Sequence, residues 1–294
     1  NNSSILSQEK IYSTSDSHSM IGKICDPNDI ITLVHSENLN HFYVELNDYK
    51  ILIFMKTNYN WGILGLGKIA KKFATDLQSV EGANLKAVAS RSLQKAEEFA
   101  EDFRAENYYG NYAELIEDPE IDVIYIATPH VFHKELTITC LKAKKAVLCE
   151  KAFGMNKAEV EEMISTAKAE NVFLMEALWT HFVPHYQYVL EIIQQKKYGE
   201  IKSLTADFGF KAPYDLDKRL FNKDLGGGSL LDIGIYPVFA AMTLIGMPLN
   251  IEASAKFSKT KVDEECLITF SYPNGVKANL KSTLLEKTPT ECII

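Results

Sequence analysis

The sequence predicts an α/β protein in which a doubly wound parallel sheet is followed by an α+β domain with a largely antiparallel sheet. Between residues 60 and 175, short apolar runs alternate regularly with helical patterns, as parallel strands joined by crossover helices require. After residue 176 the predicted strands carry apolar residues at alternate positions, which is typical of a sheet with one covered face. The turn sequence Pro273-Asn274-Gly275 then predicts an antiparallel hairpin.

Length, composition and charge narrow the class of protein. The 294 residues are enough for two domains, and 46% hydrophobic with 24% charged residues is an ordinary globular composition. A formal net charge of -8 argues against a nucleic-acid partner, because phosphate contacts need a basic surface. Five scattered cysteines without CxxC spacing predict free thiols and a cytoplasmic location. We find no apolar run long enough to cross a bilayer, and the polar, serine-rich residues 1–19 do not resemble a signal peptide.

Residues 1–54 do not share the regular alternation and are predicted to be a separate extension. Apolar runs at 30–34, 41–46 and 49–54 predict strands, and Asn47-Asp48 predicts a hairpin turn between the last two. No motif that carries chemistry occurs among these residues. The extension is a small β appendage, an interface segment or an artefact of the sequence, three alternatives that the residues leave open.

The first strand of the regular part, Ile63-Leu64, runs into a glycine turn and then a helix. Apolar residues recur at helical spacing after the turn, at Ile69, Phe73, Leu77 and Val80. Gly65 and Gly67 allow a tight turn whose amides approach a ligand, and Ala70 lets the helix pack close to the strand. A helix N-terminus with bare amides binds phosphate, so the three parts together are a dinucleotide fingerprint. The predicted cofactor contacts here are Gly65, Leu66, Gly67, Lys68 and Ile69. A plain helix start after a buried strand is the alternative.

The remaining elements follow in order. In the first domain, residues 55–175, further strands are predicted at 85–89, 123–127, 146–149 and 172–175, and helices around 93–103, 136–143 and 160–167. In the second domain, residues 176–294, a helix is predicted around 189–193, strands at 202–210, 251–257, 266–272 and 276–285, and a glycine-rich segment with a helix at 226–245. The first domain is the nucleotide-binding one, with a Rossmann sheet.

The residues after the second strand bear on the choice of cofactor. The acidic residue that usually binds the adenosine ribose there is replaced by Ser90-Arg91. An arginine suits a 2′-phosphate, both by its charge and by its planar fork of donors. The sequence therefore favours NADP, with NAD possible. A surface arginine in a turn is the alternative.

Two further motifs stand at strand ends, where ligands bind to such sheets. The first is Thr128-Pro129-His130, with His133 following it; these residues are predicted to line the cofactor crevice. His130 with His133, and His181 with His185, have the spacing of metal ligands on a helix. Neither pair comes with a matching third ligand, so we predict no metal site.

The second strand-end motif is Glu150-Lys151. A lysine held beside a bound cofactor can lower the pKa of a neighbouring group or orient a substrate hydroxyl. An exposed ion pair between the two side chains is the alternative.

From about residue 55 onward the chain resembles the family of glucose-fructose oxidoreductase, inositol dehydrogenase and their relatives (Gfo/Idh/MocA), and most of all its dihydrodiol dehydrogenase-like members. The resemblance covers roughly the last four-fifths of the chain. The matching motifs are Gly65-Leu66-Gly67-Lys68-Ile69-Ala70, Ala127-Thr128-Pro129-His130-Val131-Phe132-His133, Glu150-Lys151-Ala152, Glu176-Ala177-Leu178-Trp179-Thr180 and the run from Gly226 to Pro237. Five motifs in the same order identify the family.

The resemblance implies hydride transfer between a nicotinamide and a carbinol carbon. It implies a catalytic role for Lys151 and, as in the dihydrodiol dehydrogenase-like members, an acid/base role for Tyr236. Asp232 stands four positions earlier and would share its helix face. An ammonium beside a phenol favours the phenolate, so the three residues would act together in proton transfer. The resemblance also places Glu150, Lys151 and Trp179 beside the cofactor. A buried tyrosine that bonds an aspartate is the alternative.

Two departures from the family are expected to matter. The usual proline after the Glu-Lys pair is Ala152 here, which predicts a less rigid loop. Family members continue past the position of Ile294, so the second domain is expected to be incomplete at its C-terminus. These departures leave the charged motif itself intact.

The sequence therefore predicts an NADP-preferring oxidoreductase that acts on a sugar, a polyol or a trans-dihydrodiol. Arg219 and Tyr214 are candidates for substrate contacts. We expect a homodimer or a higher homo-oligomer, with the sheet face of the second domain as the contact. A non-catalytic sensor or regulatory protein that binds NAD(P) on the same fold is the alternative.

Overall fold

The computed structural model describes residues 56–216 and 218–294, and the backbone of four strands in the extension. Contacts divide the chain into two units. One comprises Asn1–Tyr59 with Ser79–Asn84, and the other comprises Asn60–Gln78 with Leu85–Ile294. The second unit contains two sheets and the helices that cover them.

The four strands of the extension form one sheet. They are β1 (Ile11–Tyr12), β2 (Thr32–His35), β3 (His41–Leu46) and β4 (Tyr49–Phe54). Their order is β1-β4-β3-β2; β2, β3 and β4 pair antiparallel, and β1 pairs parallel with β4. The predicted hairpin turn at 47–48, and the first two residues of the strand predicted at 30–34, lie outside the described residues. The antiparallel pairing of β3 with β4 agrees with such a hairpin.

The first sheet of the second unit is parallel and has six strands in the order β10-β9-β8-β5-β6-β7. Its strands are β5 (Tyr59–Leu64), β6 (Ala83–Ala89), β7 (Asn107–Tyr109), β8 (Val123–Ile126), β9 (Ala146–Cys149) and β10 (Leu174–Glu176). Its helices are α1 (Lys68–Leu77), α2 (Leu93–Phe103), α3 (Tyr112–Glu117), α4 (His133–Lys142) and α5 (Lys157–Glu170). The short elements β7 and α3 are not predicted by the sequence pattern.

Helices cover both faces of this sheet, which confirms the predicted doubly wound fold. Neighbouring residues of a strand point to opposite faces, so Ile63 packs with α1 and α2 while Leu64 packs with α3 and α4. Phe73 of α1 stacks on Tyr125 of β8 with ring centroids 3.8 Å apart. Because both faces are covered, β5 and β8 are apolar along nearly their whole length.

The second sheet has five strands and is largely antiparallel, as predicted. Its order is β12-β13-β14-β11-β15, and only the β11–β14 pair is parallel. Its strands are β11 (Ser203–Gly209), β12 (Asn250–Phe257), β13 (Asp263–Ser271), β14 (Lys277–Thr283) and β15 (Cys292–Ile293). The turn at Pro273–Gly275 joins β13 to β14, which confirms the predicted hairpin.

Two helices, α6 (Pro184–Gln194) and α7 (Ile235–Leu244), pack on one face of this sheet. Their apolar residues meet alternate residues of β11, β13 and β14, among them Leu204, Phe270 and Leu280. The opposite face carries no helix among the described residues, and every residue of the edge strand β12 is exposed.

One described segment, Lys223–Leu244, has the length and the apolarity of a membrane-crossing helix. The sequence analysis expected no run of this length. Half of its apolar window is buried inside the fold, and Ala240, Ala241 and Leu244 belong to the core of the second sheet. Packing in the core therefore accounts for the apolar character of this segment.

Candidate functional site

A pocket of about 670 Å³ lies where the loops after β5, β6, β8 and β9 meet the second sheet's helical face. Parallel strands bring their carboxyl ends to one edge, which is where such sheets bind ligands. The pocket is lined by Gly65, Leu66, Gly67, Lys68, Ile69, Ser90, Arg91, Lys95, Tyr112, Ala127, Thr128, Pro129, His130, Glu150, Lys151, Trp179, Arg219, Asp232 and Tyr236. Every residue predicted to be catalytic or to bind the cofactor, except His133, is among them. Of the two candidates for substrate contacts, Arg219 lines the pocket and Tyr214 does not.

The glycine turn provides backbone groups rather than side chains. Gly65 has a φ of +87, and a Cβ there would lie 2.9 Å from the Ala127 carbonyl oxygen, so only glycine fits. A Cβ at Gly67 would meet no protein atom within 4 Å, which leaves that space to a ligand. Among the described residues, no side chain caps the N-terminus of α1, whereas Ser92 caps α2 and Asn111 caps α3. The amides of α1 are therefore available for phosphate.

Three cations, which we call the anion end, line the pocket near this turn: Lys68, Arg91 and Lys95. Among the ion pairs of residues 56–216 and 218–294, none includes these three side chains. The Arg91 guanidinium lies 6.0 Å from the Phe132 ring centroid, and Ser90 Oγ accepts a hydrogen bond from the Ser92 amide at 3.3 Å. Unpaired cations beside bare helix amides fit the phosphates of a dinucleotide.

His130 forms part of the pocket wall and is 4% exposed. Its Nδ1 lies 3.2 Å from the Gly226 carbonyl oxygen, which links the first sheet to the glycine-rich segment of the second domain. Burial lowers the pKa of His130 to about 4, with a smaller contribution from the positive charge of Arg219. The imidazole is therefore neutral near pH 7 and donates its Nδ1 proton to Gly226.

His133 does not line the pocket, because it is completely buried beneath it. Its Nδ1 lies 2.9 Å from the Ala152 carbonyl oxygen, and its Nε2 lies 2.9 Å from the Thr128 carbonyl oxygen. Both ring nitrogens thus face acceptors, although burial lowers the pKa of the ring. The role of His133 is to support the two loops that reach the pocket.

Glu150 stands behind the pocket wall and is held by two donors. The Tyr125 hydroxyl donates to Oε1 at 2.5 Å, and the Lys151 amide donates to Oε2 at 3.2 Å. Burial raises the pKa of Glu150, and burial together with the Glu150 charge raises the pKa of Tyr125. The Glu150 side chain is therefore bound by Tyr125 and the main chain. The alternative interpretation, an exposed ion pair between Glu150 and Lys151, does not hold, since Lys151 Nζ pairs with Asp232 instead.

Lys151 directs its ammonium into the pocket. Nζ donates to the Asp232 main-chain oxygen at 2.6 Å and lies 3.7 Å from Asp232 Oδ1. The same nitrogen lies 5.3 Å from the centroid of the Tyr236 ring. The peptide bond that follows, Lys151–Ala152, is cis. Lys151 thus meets two residues that lie more than 80 positions later in the sequence, at what we call the reacting end: Lys151, Asp232 and Tyr236, joined by Arg219.

Tyr236 lies in the first turn of α7 among aromatic side chains. The Trp179 indole N–H donates to the Tyr236 hydroxyl at 3.4 Å, and the Phe208 ring centroid lies 5.5 Å from that of Tyr236. Asp232 lies in the preceding wide turn, Leu230–Gly234, which is a π-helical turn rather than the regular helix that the sequence predicts. Both residues still reach the same pocket.

Arg219 binds Asp232 more closely than Lys151 does. Arg219 Nη2 lies 2.5 Å from Asp232 Oδ1, and the Asp232 side chain is 11% exposed. The sequence analysis proposed Arg219 only as a substrate contact. The other substrate candidate, Tyr214, is half exposed and packs on Phe221 at a centroid distance of 4.7 Å.

The glycine run that begins at Gly226 shapes the segment carrying these groups. A Cβ at Gly228, where φ is +121, would collide with the Asp263 carboxylate. Instead, one Asp263 oxygen accepts from the Ser229 hydroxyl and from the Leu230 amide, both at 2.7 Å. Asp263 therefore caps the turn that carries Asp232, a contact between residues far apart in the chain.

Two lining residues, Lys95 and Tyr112, and one neighbour of Tyr236, Phe208, went unnoticed in the sequence. Lys95 lies in the first turn of α2, and a second basic residue so soon after Arg91 is a signal that could have identified it. Phe208 belongs to a strand in which apolar and polar residues alternate, and this pattern indicates only a core position. Within residues 56–216 and 218–294, no group of three or more His, Cys, Asp or Glu side chains could hold a metal ion. His181 packs on Phe182 and Phe239.

The pocket can therefore hold an anionic dinucleotide at one end and a proton-transferring phenol at the other. Comparison with known proteins agrees. The family model described as "Oxidoreductase family, NAD-binding Rossmann fold" matches residues 59–178, and that of the "GFO/IDH/MocA C-terminal domain" matches residues 186–294.

Individual relatives show the same relationship. The trans-1,2-dihydrobenzene-1,2-diol dehydrogenase of Xenopus tropicalis is 39% identical over 241 residues, which is 80% of this chain and 72% of the relative. A 3-ketoreductase from Actinomadura kijaniata, solved with NADP and TDP-benzene, is 28% identical with a TM-score of 0.74 over 79% of this chain and 72% of that one. An aldose-aldose oxidoreductase from Caulobacter crescentus, solved with glycerol, is 27% identical with a TM-score of 0.73 over 78% and 72%.

The two family models cover both sheets of the second unit and every residue that lines the pocket except Trp179. The order of motifs, the paired sheets and the lining of the pocket therefore lead to one assignment. The chain belongs to the GFO/IDH/MocA family of oxidoreductases and is a nicotinamide-dependent dehydrogenase.

Proposed function

We propose that the protein is an NADP-preferring oxidoreductase that acts on the carbinol carbon of a sugar, a polyol or a trans-dihydrodiol. The observation that carries the proposal is the convergence of Lys151, Asp232 and Tyr236 in a pocket whose other end holds bare cations. The names of the relatives support it, since they include a dihydrodiol dehydrogenase, a ketoreductase and an aldose oxidoreductase.

Tyr236 is the residue that moves the proton. Its hydroxyl faces the pocket and receives the Trp179 N–H, while the Lys151 ammonium lies 5.3 Å from its ring. A nearby positive charge favours the phenolate, which can remove the proton of a substrate hydroxyl. In the reverse direction the neutral phenol returns that proton to the carbonyl oxygen. The nicotinamide, when bound, supplies or accepts the hydride.

The preference for NADP rests on the anion end of the pocket. Arg91 and Lys95 follow β6, the strand whose end meets the adenosine ribose in such folds. Neither has a carboxylate partner among the described residues, so each can bind the extra phosphate without breaking an ion pair. Ser90 adds a hydroxyl at the same place. NAD remains usable, because the glycine turn binds the pyrophosphate of either cofactor.

A sensor that only binds the cofactor would not need the reacting end. Its positively charged groups and the phenol serve no purpose in binding a dinucleotide, and their convergence favours turnover. A cytoplasmic location and a homodimer, or a higher homo-oligomer, complete the proposal. Free cysteines at 140, 149, 266 and 292 suit a reducing compartment, and the open face of the second sheet is the surface we assign to a second copy.

The test is a Tyr236→Phe variant assayed with NADP and NAD against a panel of sugars, polyols and trans-dihydrodiols. Loss of the phenol should lower kcat by about 10²–10⁴-fold, the usual contribution of a positioned acid/base group. NADPH affinity, followed by its fluorescence, should stay within a few-fold of the wild type. A variant with full turnover would remove Tyr236 from the mechanism. No turnover of any panel member by the wild type would favour the sensor.

A further inference from the structure

Asp232 stands between two cations that compete for its carboxylate. Oδ1 lies 2.5 Å from Arg219 Nη2 and 3.7 Å from Lys151 Nζ. Coulomb attraction falls with distance, so Arg219 is the stronger partner. The short bond that Lys151 does make, at 2.6 Å, is to the main-chain oxygen of Asp232, which carries no net charge.

The main chain fixes Arg219 in this place. Arg219 begins the short turn Arg219–Phe221, and Phe221 is buried in a core cluster with Ile233. The Gly228 amide donates to the Leu220 carbonyl oxygen at 3.0 Å, so the turn is joined to the segment that carries Asp232. Arg219 Nη1 is buried and, within the described part of the chain, has no hydrogen-bond partner. The guanidinium therefore directs its charge to Asp232.

The Asp232 carboxylate has two cationic neighbours at the reacting end. Arg219 and Lys151 both lie within 4 Å of its Oδ1, so the two cations outnumber this carboxylate. Without Arg219, the Asp232 carboxylate and the Lys151 ammonium would form a neutral pair. The positive charge that favours the phenolate would then be lost.

We infer that Arg219 is a positioning residue that occupies the Asp232 carboxylate, so that this carboxylate neutralises less of the Lys151 charge beside Tyr236. The inference rests on the proposed function, in which Tyr236 moves the proton. In this role Arg219 acts on the chemistry through Asp232 and need not touch the substrate. The sequence analysis, in contrast, expected Arg219 to contact the substrate.

Other ionisable groups of the pocket contribute less to the charge beside Tyr236. They are Lys68, Arg91, Lys95, Tyr112, His130 and Glu150. His130 is neutral near pH 7, because burial lowers its pKa to about 4. Glu150 and, behind it, Glu176 also attract the Lys151 ammonium, while burial raises the pKa of both carboxyl groups. Both are unchanged in every variant compared below, so they do not affect the comparison. Lys68, Arg91 and Lys95 belong to the anion end, where the phosphates of a bound cofactor would neutralise them.

The experiment compares the pH dependence of kcat/KM in four proteins: the wild type, Arg219→Gln, Arg219→Lys and Lys218→Gln. Lys218 is the matched control, since it is the adjacent cation and its exposed side chain pairs with Asp215 at 3.0 Å. We expect kcat/KM to rise with pH as the phenolate forms, and the midpoint of this rise is the quantity compared. In Arg219→Gln the midpoint should move to higher pH by about one unit, as expected for losing one nearby positive charge. Activity should fall about 10-fold at pH 7 and recover at high pH. Arg219→Lys should stay near the wild type, and Lys218→Gln should match it.

A second variant keeps the inference testable if Arg219→Gln does not fold. Asp232→Asn removes the shared carboxylate, so its midpoint should move to lower pH, opposite to Arg219→Gln. An Arg219→Gln enzyme that loses the same activity at every pH, or an Asp232→Asn enzyme with an unmoved midpoint, would overturn the role of Arg219. Failure of the proposed function would show separately, as full turnover in Tyr236→Phe.

Discussion

The two ends of the pocket hold their positive charges in opposite ways. At the anion end, Lys68, Arg91 and Lys95 have no carboxylate partner among the described residues, whereas at the reacting end Lys151 and Arg219 share Asp232. Bare cations suit the binding of an anion, because no ion pair must be broken first. Cations that share one carboxylate suit the adjustment of a neighbouring group. We therefore propose that the anion end serves binding and the reacting end serves chemistry within one pocket.

The largest effect should follow from removing the ammonium at the reacting end. Lys151→Met keeps the length of the side chain but loses the charge beside Tyr236. We expect kcat to fall by about 10²–10⁴-fold, as for other groups that assist proton transfer. Stopped-flow measurement of kcat and fluorescence titration of NADPH would separate turnover from cofactor binding. Lys142→Met, at the exposed end of α4, is the control for loss of a lysine charge.

The distinction between the anion end and the reacting end would be wrong if the Lys151→Met enzyme kept its turnover but lost its affinity for NADPH. Lys151 would then belong functionally with the anion end. Its position near Asp232 and Tyr236 would be a structural contact only.

An intermediate effect concerns His130, in the wall between the two ends. Its pKa is lowered by burial to about 4 in the folded protein, against 6.5 in the unfolded chain. Below pH 6.5 the unfolded chain binds a proton that the folded protein does not, so stability falls as the pH drops from 6.5 towards 4. This group should lower the free energy of unfolding by about 2–3 kcal/mol at pH 4.5 relative to pH 7.

Urea unfolding of the wild type and of His130→Asn at both pH values checks this expectation. The wild type should lose more stability on acidification than His130→Asn does, by roughly that amount. His185→Asn, which changes an exposed histidine of α6, should behave like the wild type. Equal acid sensitivity in all three proteins would mean that His130 titrates freely in the fold.

The smallest effect is expected at the anion end. Arg91→Ala removes one of three cations, so the affinity for NADP should fall by about 10- to 30-fold, as for loss of one charged hydrogen bond. NAD lacks the 2′-phosphate and serves as the internal control, with a change of less than about threefold. Isothermal titration with both cofactors measures the two affinities. Equal losses for NADP and NAD would place Arg91 away from the 2′-phosphate.

The sequence predicts the parts of the site that depend on local pattern or on the geometry of parallel strands. The turn at Gly65 and the strand-end residues His130 and Lys151 are of this kind, because every parallel strand delivers its carboxyl end to the same edge. The joint position of Asp232 and Tyr236 was implied by resemblance, and the structure brings both residues to Lys151.

Contacts between distant segments were not predictable. The bond between Arg219 and Asp232 depends on how the glycine run folds against Asp263, which no local pattern encodes. The strand β7, with three residues, and the helix α3, with six, are too short to show a clear period. The burial of His133 was missed for a related reason, since its two partners lie in loops of the assembled sheet.

The imidazole of His133 has a mechanical consequence for the enzyme. Its two nitrogens face the carbonyl oxygens of Thr128 and Ala152, so one rigid ring braces the loop after β8 against the loop after β9. A movement of one loop relative to the other would therefore disturb a contact of His133.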